Sequence, residues 1–116
     1  MKLKYYLAFT ILLILSLQSC QDENTPLNQL EFYWDQTGCS DPWNTNSNNS
    51  IKETQKAVED YLSDEGVKGA KVLSITGDGV EQGCEACFCT TGNRIYVTVP
   101  LDQIGKMIAL GFKESN

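Results

Sequence analysis

The sequence predicts a small α+β domain: a two-layer β-α-β-β-β-α sandwich, one sheet with two helices on a single face, stapled by disulfides. Three observations predict it. Ile95, Val97 and Val99 alternate with Arg94, Tyr96 and Thr98, the period-two pattern of a half-buried strand. Ser50-x-x-Glu53 is a capping box opening a run whose apolar residues recur at helical spacing. Cys39, Cys84, Cys87 and Cys89 belong to a chain small enough to gain from covalent support of its core.

The elements follow in order. Leu30 to Trp34, "LEFYW", is aromatic and reads as the first strand. The stretch from Asp35 to Ser50, rich in Asn, Ser, Asp and Gly, reads as loop. A helix then runs to about Asp64, with Ile51, Val58, Leu62 and Tyr61 along one face and Thr54 between them; Gly66 is its stop. In "AKVLSITGDG" Leu73 and Ile75 are expected on one side of a second strand and Val72 on the other, with Gly77, Asp78 and Gly79 breaking it. Residues 85–90 are expected to form a third strand, hairpinned through Thr91-Gly92-Asn93 to 94–99. That places Phe88 in the core beside Ile95 or Val97, and Cys87 and Cys89 on the opposite face. Pro100 ends the fourth strand. Asp102 is positioned to cap a short helix carrying Ile104, Met107, Ile108 and Leu110, which Gly111 and Phe112 terminate.

The N-terminus carries an address. Lys2 and Lys4 precede an apolar run from Tyr5 to Leu17, the layout of an export signal. The run is shorter than the ~20 apolar residues a transmembrane helix needs, and it leads into polar, acidic sequence. It ends in Leu17, Gln18, Ser19 and Cys20, which resemble the lipobox of bacterial lipoproteins; Gln18 is the less usual occupant of its position. The resemblance covers residues 1–20 only. It implies a signal peptide over 1–19, acylation of Cys20, a flexible tether over 20–29 and a single domain over 30–116. Acyl chains anchor because each buried methylene contributes about 0.8 kcal/mol. Asp22 and Glu23 after the anchor look like the surface-export signal of Bacteroidetes-type lipoproteins, so the expected place is the bacterial outer membrane, surface-exposed or periplasm-facing.

Charge narrows the partners. Removing Lys2 and Lys4 from nine basic residues leaves seven against fifteen acidic ones, a net charge of −8. Nucleic acid is a poor partner for such a chain, because its phosphates are repelled. An acidic surface favours a soluble monomer. The expected partners are the membrane, through the N-terminal lipid, and an envelope protein or glycan.

With Cys20 acylated, four thiols remain and three complete pairings exist. A Cys87–Cys89 bond is disfavoured, because an extended i,i+2 pair lies at the long end of allowed Cα separations. Cys39 is therefore expected to join Cys87 or Cys89, with Cys84 taking the other. Two sharper readings compete. Cys84-x-x-Cys87 has the spacing of a thiol redox pair, but such pairs work at a helix N-terminus. Cys84, Cys87 and Cys89, with Cys39 as a fourth ligand, offer soft thiolates for Cu(I) or zinc.

Catalytic chemistry has little support. The chain has no histidine, so neither a Ser-His-Asp triad nor a histidine zinc site can form. Asp78 with Glu81, Glu81 with Glu85, and Asp60 with Asp64 are carboxylate pairs by number, but nothing in the sequence fixes them across a cleft as an acidic-site hydrolase requires. The Gly-rich 76–83 lacks the lysine and following helix of a phosphate loop, and it does not fit a calcium loop. No cofactor is expected. The remaining candidates for contact are Trp34, Trp43, Asp35 and Asp41, in or beside the long polar loop. There the indoles are suited to stack on sugar rings and the carboxylates to bond their hydroxyls. The competing role for both tryptophans is to cover the small core or the disulfides.

Overall fold

A computed structural model describes residues 28–43 and 50–115. The lipobox, Cys20 and most of the tether lie outside the described residues. The elements are β1 (Gln29–Thr37), α1 (Ile51–Asp64), β2 (Lys71–Thr76), β3 (Thr90–Pro100), a 3-10 turn (Leu101–Gln103), α2 (Ile104–Ala109) and β4 (Lys113–Glu114). The strands form one antiparallel sheet in the order β2-β3-β1-β4. Among the described residues, no helix is long and apolar enough to cross a membrane.

The α+β class holds, with one sheet, two helices and two disulfides. The inner face of the sheet contributes Phe32, Val72, Ile95, Val97 and Val99, and the helices contribute Val58, Leu62 and Met107 to the same buried cluster. Both helices therefore cover one face. Each ends in the same device. After α1, Gly66 at φ 80° lets Val67 N–H reach Leu62 O at 2.8 Å and Gly66 N–H reach Ser63 O at 3.0 Å. After α2, Gly111 at φ 94° lets Phe112 N–H reach Met107 O at 3.1 Å and Gly111 N–H reach Ile108 O at 3.0 Å. In both, the apolar residue after the glycine is buried with the residue whose carbonyl it caps, as a Schellman ending requires. The expected start of α1 is also present, with Ser50 Oγ accepting Glu53 N–H at 3.1 Å.

Several expectations are corrected. The order of elements is β-α-β-β-α-β. Residues 85–89 form turns rather than a strand, and Phe88 is 70% exposed rather than in the core. The cause is covalent. Cys84 is bonded to Cys89 with their Cα atoms 6.0 Å apart, whereas five extended residues span about 17 Å. Thr91-Gly92-Asn93 is not a hairpin turn but an irregularity inside β3. There Asp35 pairs with Arg94 and Thr37 with Thr90, so β3 accommodates extra residues, with Gly92 at φ 90°. A second irregularity lies between Val72 and Ser74 of β2; it turns Val72 inward with Ile95 and Val97 and leaves Leu73 50% exposed. At the start of α1, Ile51 is 65% exposed, and Thr54, Val58 and Leu62 form the buried stripe. Ile108 is also exposed and Met107 carries the burial of α2. Asp102 makes no side-chain cap; a 3-10 turn leads into α2 instead. The fourth strand in chain order is β4, two residues long and paired with Phe32 and Tyr33.

The edge of β2 is covered by α1 at Val72. Glu59 Oε1 accepts Val72 N–H at 3.1 Å, and Gln55 Nε2 donates to Val72 O at 3.2 Å. Side chains thus satisfy the backbone groups where the irregular strand leaves the ladder, which protects an edge from pairing with another chain.

The two disulfides are Cys39–Cys87, 48 residues apart, and Cys84–Cys89, five apart. In the chain-entropy model they stabilise by about 4 and about 2 kcal/mol respectively. Replacing Cys39 and Cys87 together by serine is expected to lower the unfolding free energy about twice as much as replacing Cys84 and Cys89. Urea denaturation of the two double variants checks this, and equal losses would contradict it.

Candidate functional site

The cysteines form a knot at the end of the sheet where β1 finishes and β3 begins. Gly38 N–H donates to Cys89 O at 3.0 Å and Cys39 N–H to Cys87 O at 3.1 Å, laying the exit of β1 along the 84–89 loop. Gly79 N–H donates to Gly92 O at 2.9 Å and Gln82 N–H to Thr90 O at 3.1 Å, closing the other side. All four sulfurs are in disulfides, so a thiolate metal site would first require their reduction. Among the described residues, no group of three or more Cys, Asp or Glu side chains is arranged to hold a metal ion.

The predicted contact residues separate into two groups. Asp41 and Trp43 are structural. Asp41 is 4% exposed, and its carboxylate accepts Trp34 Nε1–H at 2.9 Å, Thr37 Oγ1–H at 2.8 Å and Thr37 N–H at 3.2 Å to each oxygen. Trp43 is 3% exposed and offers no indole face to a partner. Its ring meets Trp34 edge-on with centroids 5.2 Å apart, and it also lies against Tyr61 at 5.7 Å and Phe112 at 6.0 Å. Its large apolar surface closes the core beneath the loop, which is the bland role the sequence left open. Burial pushes the Asp41 carboxyl above its usual value, and the hydrogen bonds from Trp34 and Thr37 only partly offset that.

Trp34 and Asp35 have a different setting. Trp34 is half-buried, held by Asp41 at its nitrogen and by Phe112 at its ring, centroids 5.1 Å apart. Asp35 lies on the sheet face away from the helices. Its Oδ1 accepts Arg94 Nε–H at 2.8 Å from the directly opposite position on β3, and its Oδ2 lies 3.8 Å from Lys113 Nζ. Arg94 also rests over the Tyr33 ring, 4.4 Å from its centroid. Farther across the same face, Tyr96 is paired with Tyr33, and its hydroxyl donates to Asp78 at 2.9 Å. Hydrogen bonds from Thr76 and then Tyr96 hold Asp78 below the usual carboxylate range.

Tyr33, Trp34, Asp35, Gly111 and Lys113 line a cavity of about 170 Å³ at the edge of the sheet, just past the end of β4. The cavity exists because β4 is so short. It covers only Phe32 and Tyr33, so the β1 edge at Trp34 and Asp35 is left open. Gly111 sits against the indole; a Cβ there would lie 3.4 Å from Trp34 Cζ3. Sequence reasoning identified Trp34 and Asp35 but missed Gly111, Lys113 and the supporting Arg94. The alternation in β3 places Arg94 on the polar face, but the register that sets it opposite Asp35 is a tertiary property. The numerical carboxylate pairs do not converge on this cavity: Asp78 is engaged by Thr76 and Tyr96, Asp60 by Lys56, and Glu81 and Glu85 are exposed.

Comparison with protein-family models, with curated proteins and with solved structures finds no match to this chain.

The raised pKa of Asp41 has a signed consequence. Between the unfolded value of about 3.9 and the higher folded value, the folded protein keeps a proton that the unfolded chain has released. The contribution of Asp41 to stability is therefore greatest below the unfolded value and declines as pH rises through the folded one. The stability difference between wild type and Asp41→Asn, measured by urea denaturation from pH 3 to 7, is expected to shift against the wild type as pH rises. A shift in its favour would mean that the hydrogen bonds from Trp34 and Thr37 outweigh burial.

Proposed function

We propose that the protein is a non-enzymatic, lipid-anchored module of the bacterial outer membrane that binds an envelope protein or a glycan. What carries this reading is the combination of an N-terminal run that resembles an export signal, ending in Leu17-Gln18-Ser19-Cys20, with a domain whose four other cysteines are all in disulfides. Disulfides persist in exported proteins and are rare in the reducing cytosol. A small domain stapled in this way retains its shape without a large core.

The position of the tether supports a binding role. Asn28 begins the described chain, and its carbonyl accepts Leu101 N–H at 3.2 Å, so the chain enters at the Pro100 end of the sheet. From Cys20 the eight residues to Asn28 reach at most about 30 Å. Asp35 lies about 24 Å along the strand from that entry, at ~3.4 Å per residue, and the disulfide knot lies beyond it. The chain therefore joins the domain at the end of β1 opposite the knot. The absence of histidine from the sequence and the structural engagement of Asp41 and Asp78 favour binding over catalysis.

Metabolic labelling with a fatty-acid probe tests the anchor. The wild-type protein is expected to be labelled and to fractionate with membranes, and Cys20→Ser to lose both properties. An unlabelled wild-type protein released free of membranes would contradict the proposal.

A further inference from the structure

We infer that the cavity formed by Tyr33, Trp34, Asp35, Gly111 and Lys113 is a subsite for one neutral hexose ring of a glycan. The inference rests on the binding-module reading above and names its ligand class. Size is the first argument. A volume of about 170 Å³ is well below the ~300–1,000 Å³ of pockets for drug-sized ligands and suits a single ring. Its open mouth suits a residue within a chain rather than an enclosed small molecule.

Charge is the second argument, and it selects neutrality. Asp35 Oδ2 and Lys113 Nζ stand 3.8 Å apart, within ion-pair range but beyond the usual hydrogen-bond length. The other carboxylate oxygen is committed to Arg94. The two groups thus present one acceptor and one donor side by side. At the cavity itself Asp35 repels a ligand anion and Lys113 a ligand cation, and Arg94, behind Asp35 and outside the lining, adds to the cost of a cation. Adjacent hydroxyls satisfy both, because a hydroxyl donates to the carboxylate and accepts from the ammonium. Hydrogen bonds to charged partners are the stronger kind, and this pair offers an acceptor and a donor of that kind to adjacent hydroxyls.

The third argument is the wall. The Trp34 ring edge and Tyr33 supply apolar surface beside the charged pair, and the C–H groups of a pyranose are apolar. That wall is fixed in advance: Trp34 is bonded at its nitrogen to Asp41, and Tyr33 lies under Arg94. Ordering it on binding therefore costs little. Gly111 leaves the space beside the indole open, and its φ of 94° disfavours any side chain there.

The test uses the full acylated protein in a zwitterionic detergent with no sugar headgroup. Methyl glucoside, methyl galactoside, methyl mannoside, N-acetylglucosamine, glucuronate and glucosamine are titrated by calorimetry and tryptophan emission, alongside a panel of neutral polysaccharides. At least one neutral sugar is expected to bind and to shift the emission of Trp34, with glucuronate and glucosamine weaker. Lys113→Met and Asp35→Asn are each expected to weaken binding about tenfold or more. Phe88→Ser, on the exposed turn of the knot, is expected to bind as wild type. Lys113 is exposed, so Lys113→Met decides the matter if Asp35→Asn unfolds. Wild-type protein that binds no sugar and no polysaccharide overturns the glycan reading and this inference together. Polysaccharide binding unaffected by folded Lys113→Met leaves the glycan reading in place and overturns the cavity as its site. Preference for glucuronate or glucosamine overturns the argument for neutrality.

Discussion

One buried carboxylate organises the end of the molecule that carries the cavity. Asp41 accepts hydrogen bonds from the Trp34 indole, the Thr37 hydroxyl and the Thr37 backbone. Each of these fixes a different part of the fold. The backbone bond takes the Thr37 N–H at the end of β1. The hydroxyl bond holds Thr37 Oγ1, which in turn accepts Ser40 N–H at 3.0 Å and shapes the turn. The indole bond orients Trp34, so that its ring meets Trp43 and Phe112 on one side and leaves an edge to the cavity on the other. A carboxylate is costly to bury, and its three donor groups offset part of that cost. Neighbouring Cys39 is bonded to Cys87, which brings the loop to the knot covalently.

Two different means thus hold one small domain. The helix-covered face is ordinary packing, Phe32, Ile95, Val97 and Val99 against Val58, Leu62 and Met107. The opposite end, where the 84–89 segment has no apolar interior of its own, relies on disulfides and short backbone bonds. The same division explains the exposure of Phe88. A six-residue loop closed by Cys84–Cys89 has no inside in which to bury an aromatic ring. The open face is held by polar pairs across β1 and β3, Asp35 with Arg94 and Tyr33 with Tyr96. Those pairs are partly exposed and contribute less to stability than to the arrangement of side chains around the cavity.

What was legible in the sequence was what local rules determine. The Ser50 cap, the Gly66 and Gly111 endings and the alternation of β3 each depend on residues within a few positions of one another, and all are present. The disulfide partners were narrowed correctly, and the structure selects Cys39–Cys87 with Cys84–Cys89. What failed was set by longer-range constraints. Alternation across 85–90 suggested a strand, but a bond between Cys84 and Cys89 is incompatible with extended chain. The Val72–Ser74 irregularity puts Val72 on the same inward face as Ile75, and a strict period of two cannot anticipate it. β4 carries only two residues and has no periodicity to detect. At the candidate site, Trp34 and Asp35 were visible as an aromatic next to a carboxylate. Gly111 and Lys113 were not, because only the return of the chain after α2 brings them there. Asp41 and Trp43 differ from Asp35 and Trp34 in burial, which composition does not reveal.

The anchoring of Trp34 is what fixes the shape of the cavity. Hydrogen exchange at its indole nitrogen, followed by nuclear magnetic resonance, tests this most directly. The Trp34 Nε1–H, bonded to the buried Asp41 carboxylate, is expected to exchange much more slowly than a free indole in wild-type protein and to lose that protection in Asp41→Ala. Exchange in the folded wild type as fast as that of a free indole would contradict the anchoring role of Asp41.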